Sequence, residues 1–277
     1  MTLTVTILGC GSSSGVPRPG LGWGACDPKN PKNRRRRCSI LVERAGENGR
    51  TRVLVDTSPD LREQLLDADV DWLDGVLITH EHADHTHGID DLRSLFMRRR
   101  QRLDIYLDDA TSRVVFHRFG YCFVTPPGSG YPPIATEHRI APGKPVTISG
   151  AGGPVTALPF LLDHGDIPSL GFRFGGLAYS SDLRGIPDDS LPALAALDVW
   201  IVDALRYRPH PTHFSVDDAL AWIRRIAPRR AILTNLHSDL DYEQLQAKLP
   251  EHVEPAFDGM RIEVAPFMPP AKALSDQ

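Results

Sequence analysis

The chain has 277 residues, 41% hydrophobic and 24% charged, with a formal net charge of -4. That length can bury a sizeable core, and the charge balance is not that of a nucleic-acid binder held by overall positive potential. The four cysteines, Cys10, Cys26, Cys38 and Cys122, form no CxxC pair and no disulfide framework, and the opening MTLTVTILGCG has neither a basic leader nor an apolar run of bilayer length. A soluble cytoplasmic protein with reduced thiols is expected.

Residues 3–8 alternate threonine with aliphatic side chains and stop at Gly9, the pattern of a strand. A Gly-, Pro- and Ser-rich loop runs on to about Arg37. CSILVE (38–43) and RVLVDT (52–57) are β-branched runs joined through GENG, a hairpin signal. Pro59 opens a helix to about Asp67, GVLIT (75–79) is a short apolar strand, and the apolar spacing of Ile89, Leu92, Leu95 and Phe96 predicts a helix over 88–100. The middle carries weaker periodicity, with 125–133 reading as an insertion loop. Strands are expected at 155–160, 171–174, 177–182, 199–205, 231–237 and 260–265, with helices from the Ser215/Asp218 capping box to Ala227 and over 242–248. No linker, repeat or low-complexity tract divides the chain, so one domain over 1–277 is expected. Strands and helices in both halves suggest two sheets between outer helices.

Residues 79–88, THEHADHTHG, place four of the chain's eleven histidines and two carboxylates in ten positions. Packing histidines come singly, and so many lone pairs in one turn would compete for donors. A metal resolves that competition. His80 and His82 project to one side and suit one ion, whereas Asp84 and His85 suit a second. Their nitrogen and oxygen donors fit zinc, manganese or iron better than calcium or magnesium. His164 in LLDHGD, Asp182 in YSSD and His237 in TNLH each stand at a predicted strand end and complete the candidate set.

With these residues the chain resembles the metallo-β-lactamase-fold metal-dependent hydrolases, whose HxHxDH signature is met at 80–85. The resemblance covers essentially the full chain. It implies an α/β fold, a four-layer αβ/βα sandwich with two divalent metal ions, Zn2+ or Mn2+, at the edge of the sheets. It assigns His80, His82 and His164 to one ion, Asp84, His85 and His237 to the other, Asp182 as the bridge and Asp56 as a support behind the ligands. His237 lies two positions beyond the ligand of related phosphodiesterases, where this chain has Asn235.

The loop GSSSGVPRPGLGWGACDPKNPKNRRRRCS and the segment HFSVDDAL resemble the PhnP-type cyclic-phosphate phosphodiesterases. That likeness implies a small cyclic or nucleotide phosphate substrate, such as a 5-phosphoribosyl 1,2-cyclic phosphate. Two ions about 3.5–4 Å apart activate a bridging water and clamp attacking and leaving oxygens, with Asp84 in the reacting centre. His213 would then act as general acid toward the leaving alkoxide. Of the CxCxxC structural zinc motif of those enzymes only Cys26 remains, so a third ion is not expected. Arg37, nearest the strand at Cys38 in the Arg34–Arg37 run, is the candidate for a substrate phosphate. His87, His117, His138, His210 and His252 are left without a role. A nuclease of the tRNA 3′-processing type and a non-catalytic metal-stabilised nucleic-acid module are the alternatives. No membrane partner is implied, and the oligomeric state stays open.

Overall fold

A computed structural model describes residues 2–264 and places two seven-stranded sheets face to face. The first has the order β14-β1-β2-β3-β4-β5-β6, with β1 Leu3–Gly9, β2 Ser39–Gly46, β3 Gly49–Val55, β4 Gly75–Leu77, β5 Leu103–Leu107, β6 Ala135–Arg139 and β14 Arg261–Val264. The second has the order β13-β12-β11-β10-β9-β8-β7, from β7 Val146–Ile148, β8 Val155–His164, β9 Ile167–Phe174, β10 Leu177–Ser180, β11 Val199–Asp203, β12 Arg230–Thr234 and β13 Val253–Pro255. Ala265 of the expected last strand lies outside the described residues.

Strict alternation sorts the side chains into three cores. Val5, Ile7, Val42, Val53 and Val55 meet Leu170, Phe172, Phe174, Ile201 and Ile232 between the sheets. The other face of the first sheet, with Leu41, Leu54 and Ile105, packs on α1 (Leu61–Asp67), α3 (Arg93–Arg99) and α4 (Asp109–Phe119) through Leu61, Leu65, Leu95, Phe96 and Val115. Trp200, Val202 and Leu233 do the same for the second sheet against α5 (Val216–Ile226) and α6 (Tyr242–Gln246) through Val216, Ile223 and Leu245. Each fully buried side chain of this kind stabilises by about 1.5–3 kcal/mol, so three continuous interfaces hold the four layers. The result is the α/β sandwich expected from the sequence.

The hairpin, the central strands and α5 stand where the patterns put them, and the Ser215/Asp218 capping box is formed in both directions. The predicted helix over 88–100 divides into a 3₁₀ turn, Ile89–Leu92, and α3. The segment 125–133 is irregular and packs by Arg93 and Tyr121; none of it lines the site described below. Among the described residues no helix is long and apolar enough to cross a membrane.

Parallel pairing sets up the site. Strands β3 to β6 run parallel to one another, as do β10 to β13. Asp56 follows β3 and the histidine loop follows β4, carrying α2 (Ala83–Thr86). His164 ends β8, Asp182 follows β10, Asp203 ends β11 and Asn235 follows β12.

Candidate metal centre

The donors form two groups that meet at Asp182. His82 Nδ1 lies 2.9 Å from His80 Nε2 and 3.3 Å from His164 Nε2. Asp182 Oδ2 lies 4.0 Å from His80 Nε2 and 3.8 Å from His164 Nε2. On the other side, His85 Nε2 lies 3.2 Å from Asp182 Oδ1 and 3.6 Å from Asp84 Oδ2. His80, His85, His164 and Asp182 are all buried.

Hydrogen bonds behind the rings fix which nitrogen faces inward. Asp56 is wholly buried and holds a left-handed backbone, φ 67°, which aspartate tolerates better than most residues. Its Oδ1 accepts from Thr79 N at 2.8 Å and its Oδ2 from His85 Nδ1 at 2.7 Å, which turns His85 Nε2 toward Asp182. The Thr79 hydroxyl donates to Asp56 Oδ2 at 2.9 Å, and its oxygen accepts from His80 Nδ1 at 2.9 Å. His164 Nδ1 donates to Thr212 O at 2.8 Å. His80, His85 and His164 therefore all present Nε2 lone pairs to the same small volume.

One proton on His82 Nδ1 cannot serve both neighbours, and Asp182 Oδ1 makes no hydrogen bond of acceptable geometry although buried. Lone pairs facing lone pairs beside an unsatisfied carboxylate oxygen fit divalent cations. The electrostatics of two of the rings agree. Burial, helped by the neighbouring His85, holds His80 well below the ordinary imidazole pKa, and burial lowers His164 also, so both stay neutral as metal ligands must. At His85 burial opposes the charge but Asp182, Asp56 and Asp84 outweigh it and raise the pKa. Asp182 is held well below the usual carboxylate range because His85 and the other imidazoles overcome its burial.

His213 stands at the rim of this cluster. Its Nδ1 lies 2.8 Å from Asp203 Oδ2, 3.1 Å from Asn235 Nδ2 and 3.8 Å from Asp182 Oδ2. Burial opposes both charges of the His213–Asp203 pair. On the imidazole Asp203 and Asp182 prevail and raise the pKa to about 9; on Asp203 burial prevails and raises it to about 7. Both shifts keep the shared proton with the pair. A cavity of about 480 Å3 exposes the centre, lined among others by Ser12–Ser14, Arg18, His82, Asp84, Asp182, His213, Asn235 and His237.

Two expected residues stand apart from the cluster. His237 shares the cavity wall, but its Nε2 lies 2.7 Å from Arg18 Nη1 and its Nδ1 2.9 Å from Asp239 Oδ1, so both nitrogens are engaged elsewhere. The described donor clusters comprise His80, His82 and His164, then His80, His85 and Asp182, then His164, Asp182 and His213; His237 and Asp84 are in none of them, though Asp84 Oδ2 lies 3.6 Å from His85 Nε2. The difference is local: Asn235 takes a left-handed turn, φ 61°, and puts its own amide on Ser181 O, and His237 two residues on lies against Arg18 and Asp239. Arg37 pairs with Asp60, Nε to Oδ2 at 3.0 Å, and lines an adjoining cavity of about 530 Å3 rather than the one at the cluster.

Asp203 and Arg18, at or beside this cavity, were not singled out from the sequence; Asn235 was noted only as a departure at a ligand position, and His210 was left without a role. Asp203 had a readable signal: it ends the apolar strand VWIVD, as Asp56 follows VLV. Arg18 had none, because a loop brings it across.

A family model of the beta-lactamase superfamily domain matches residues 51–235. An octanoyltransferase of Porphyromonas gingivalis is 33% identical over 258 residues, 92% of this chain and 50% of that protein. A ribonuclease Z of Bradyrhizobium sp. is 31% identical over 182 residues, 64% of this chain and 54% of that protein. The chain thus spans about half the length of the curated relatives it matches. The crystal structure of a diphosphatase from the PhnP family aligns with TM-score 0.86 and 34% identity, over 97% of this chain and 99% of that one.

Proposed function

The chain belongs to the beta-lactamase superfamily, and from that membership we propose that it is a metal-dependent phosphodiesterase acting on a small cyclic or nucleotide phosphodiester. It is a hydrolase of the metallo-β-lactamase fold. One observation carries the phosphodiester reading: His213, locked on Asp203, shares a cavity with the His/Asp cluster. The likeness to a PhnP-family diphosphatase supports phosphorus chemistry, whereas octanoyl transfer belongs to a relative of which this chain spans half.

Held by His80, His82, His164, Asp84, His85 and Asp182, two ions of zinc or manganese would polarise a phosphoryl oxygen and make water a nucleophile at neutral pH. Asp182 joins the two donor groups, and Asp56, Thr79 and Thr212 O keep the imidazoles aimed at them. Asp203 occupies His213 Nδ1, which leaves Nε2 as the nitrogen that meets a leaving oxygen. A poor alkoxide leaving group needs that proton in the transition state.

His213→Ala should keep its metal and lose about 10²–10⁴-fold on an alkyl phosphodiester, with a much smaller loss on an activated aryl ester that leaves without protonation. Equal losses on the two esters, at unchanged metal content, would give His213 a binding role instead. The likeness to ribonuclease Z favours a second reading, tRNA cleavage. Endonucleolytic cutting with steep salt dependence would distinguish it.

A further inference from the structure

We propose that Asp239, His237 and Arg18 form an anion clamp for a second phosphoryl group of the substrate, beside the one being cleaved, with His237 positioning Arg18 rather than holding a metal. The inference rests on the phosphodiesterase reading and gives its substrate a second anionic group.

Hydrogen-bond chemistry allows one arrangement of the three side chains. Arginine has donors only, so at 2.7 Å from Arg18 Nη1 the His237 Nε2 accepts. Nδ1 then carries the ring proton and donates to Asp239 Oδ1 at 2.9 Å. The guanidinium is fixed on the ring and the carboxylate behind it; its Nε is buried without a partner, so an anion in the cavity would be met by the Nη groups.

The backbone holds this pair in register. Arg18 and Gly22 exchange two hydrogen bonds of 2.8 Å, closing the turn that carries Arg18. Ala25 N donates to Ser238 O at 2.8 Å, and the Arg35 guanidinium reaches His237 O at 3.3 Å and Leu240 O at 2.7 Å. Gly24 lies so close that a Cβ there would stand 2.4 Å from Ser238 O, which makes the contact between the two loops backbone on backbone.

Charge decides what the clamp holds. Arg36 pairs with Asp258 and Asp67, and Arg37 with Asp60. Among the described residues Arg18 and Arg206, both lining the cavity of about 480 Å3, meet no carboxylate within ion-pair distance. Arg18 also lines the adjoining cavity of about 530 Å3 and so stands at the junction of the two. The metal cluster answers the charge of the reacting phosphoryl. A preset guanidinium at the junction, with open space beyond it, answers a further phosphate through charge-assisted, fork-shaped contacts.

The test compares the p-nitrophenyl ester of thymidine 5′-phosphate with the same ester carrying a 3′-phosphate. The wild type should show a KM about 10–100-fold lower for the 3′-phosphorylated ester, the scale of one set of charge-assisted hydrogen bonds. Arg18→Ala should erase that ratio, Arg18→Lys should restore part of it, and His237→Gln should shrink it while metal content stays at the wild-type level. No preference in the wild type, an unchanged ratio in Arg18→Ala, or loss of one metal equivalent in His237→Gln would overturn the clamp. If the wild type cleaves neither ester, the phosphodiesterase reading fails by itself. Calorimetry then reads the clamp alone: thymidine 3′,5′-diphosphate binding more tightly than thymidine 5′-phosphate, by a margin lost in Arg18→Ala, upholds it, and equal binding overturns it.

Discussion

Asp56 shows how far a single side chain can reach into a site it does not enter. Three donors from Thr79 and His85 converge on its carboxylate, which is wholly buried. Its φ of 67° makes alanine a poor probe, because a backbone penalty would be mixed with the loss of charge. Asparagine tolerates the same conformation, so Asp56→Asn isolates the hydrogen bonds to His85 and Thr79. Metal affinity should fall about 10–100-fold in that variant, with circular dichroism unchanged, as competition with a chromophoric chelator would show. Unaltered affinity would mean that the ring of His85 is oriented by packing alone. At this scale the sequence was informative where chemistry and spacing coincide, as in His80–His85, Asp182 and His164. It could not show the direction of the His237 ring, because that depends on a left-handed Asn235 and on a cation arriving from residue 18.

Among the elements, the loop between β1 and β2 carries more of the site than its Gly- and Pro-rich composition suggests. Arg35, at the centre of the arginine run, is 2% exposed, and its guanidinium donates to Leu240 O, His237 O, Asn33 Oδ1 and Cys26 Sγ. One cation therefore ties the loop to the segment after β12. Arg35→Met should fill similar volume yet strand those carbonyls, lowering stability by about 3 kcal/mol in urea unfolding. A change under about 0.5 kcal/mol would show that the loop is held by its backbone contacts alone. A buried role for this residue was not legible, since a run of four arginines ordinarily reads as a solvated face. The β-branched strands and the capped α5 were legible because propensity and burial agree there. Strands β6 and β7 and helix α4 were not: β6 (ATEHR) and β7 (VTI) are short, and α4 (DATSRVVFHRF) buries Thr111, Ser112 and Val115, a face without strong apolar contrast.

For the molecule as a whole, function follows from where the two sheets end. The first supplies Asp56 and the histidine loop; the second supplies His164, Asp182, Asp203 and Asn235. Neither sheet alone assembles the donor set, and the shared core of Ile7, Val42, Phe172 and Ile201 sets their separation. The order of the candidate ligand residues along the chain was therefore readable, while their meeting at Asp182 required the packing of both halves. On the proposed reading, these donors would hold the ions needed for phosphodiester hydrolysis. The most direct measurement is hydrolysis of the p-nitrophenyl ester of thymidine 5′-phosphate by protein stripped with a chelator, before and after zinc or manganese is returned, with bound metal counted in each state. Stripping should abolish activity, and activity should return as two ions per chain rebind. Full activity in stripped protein with no transition metal bound would contradict it.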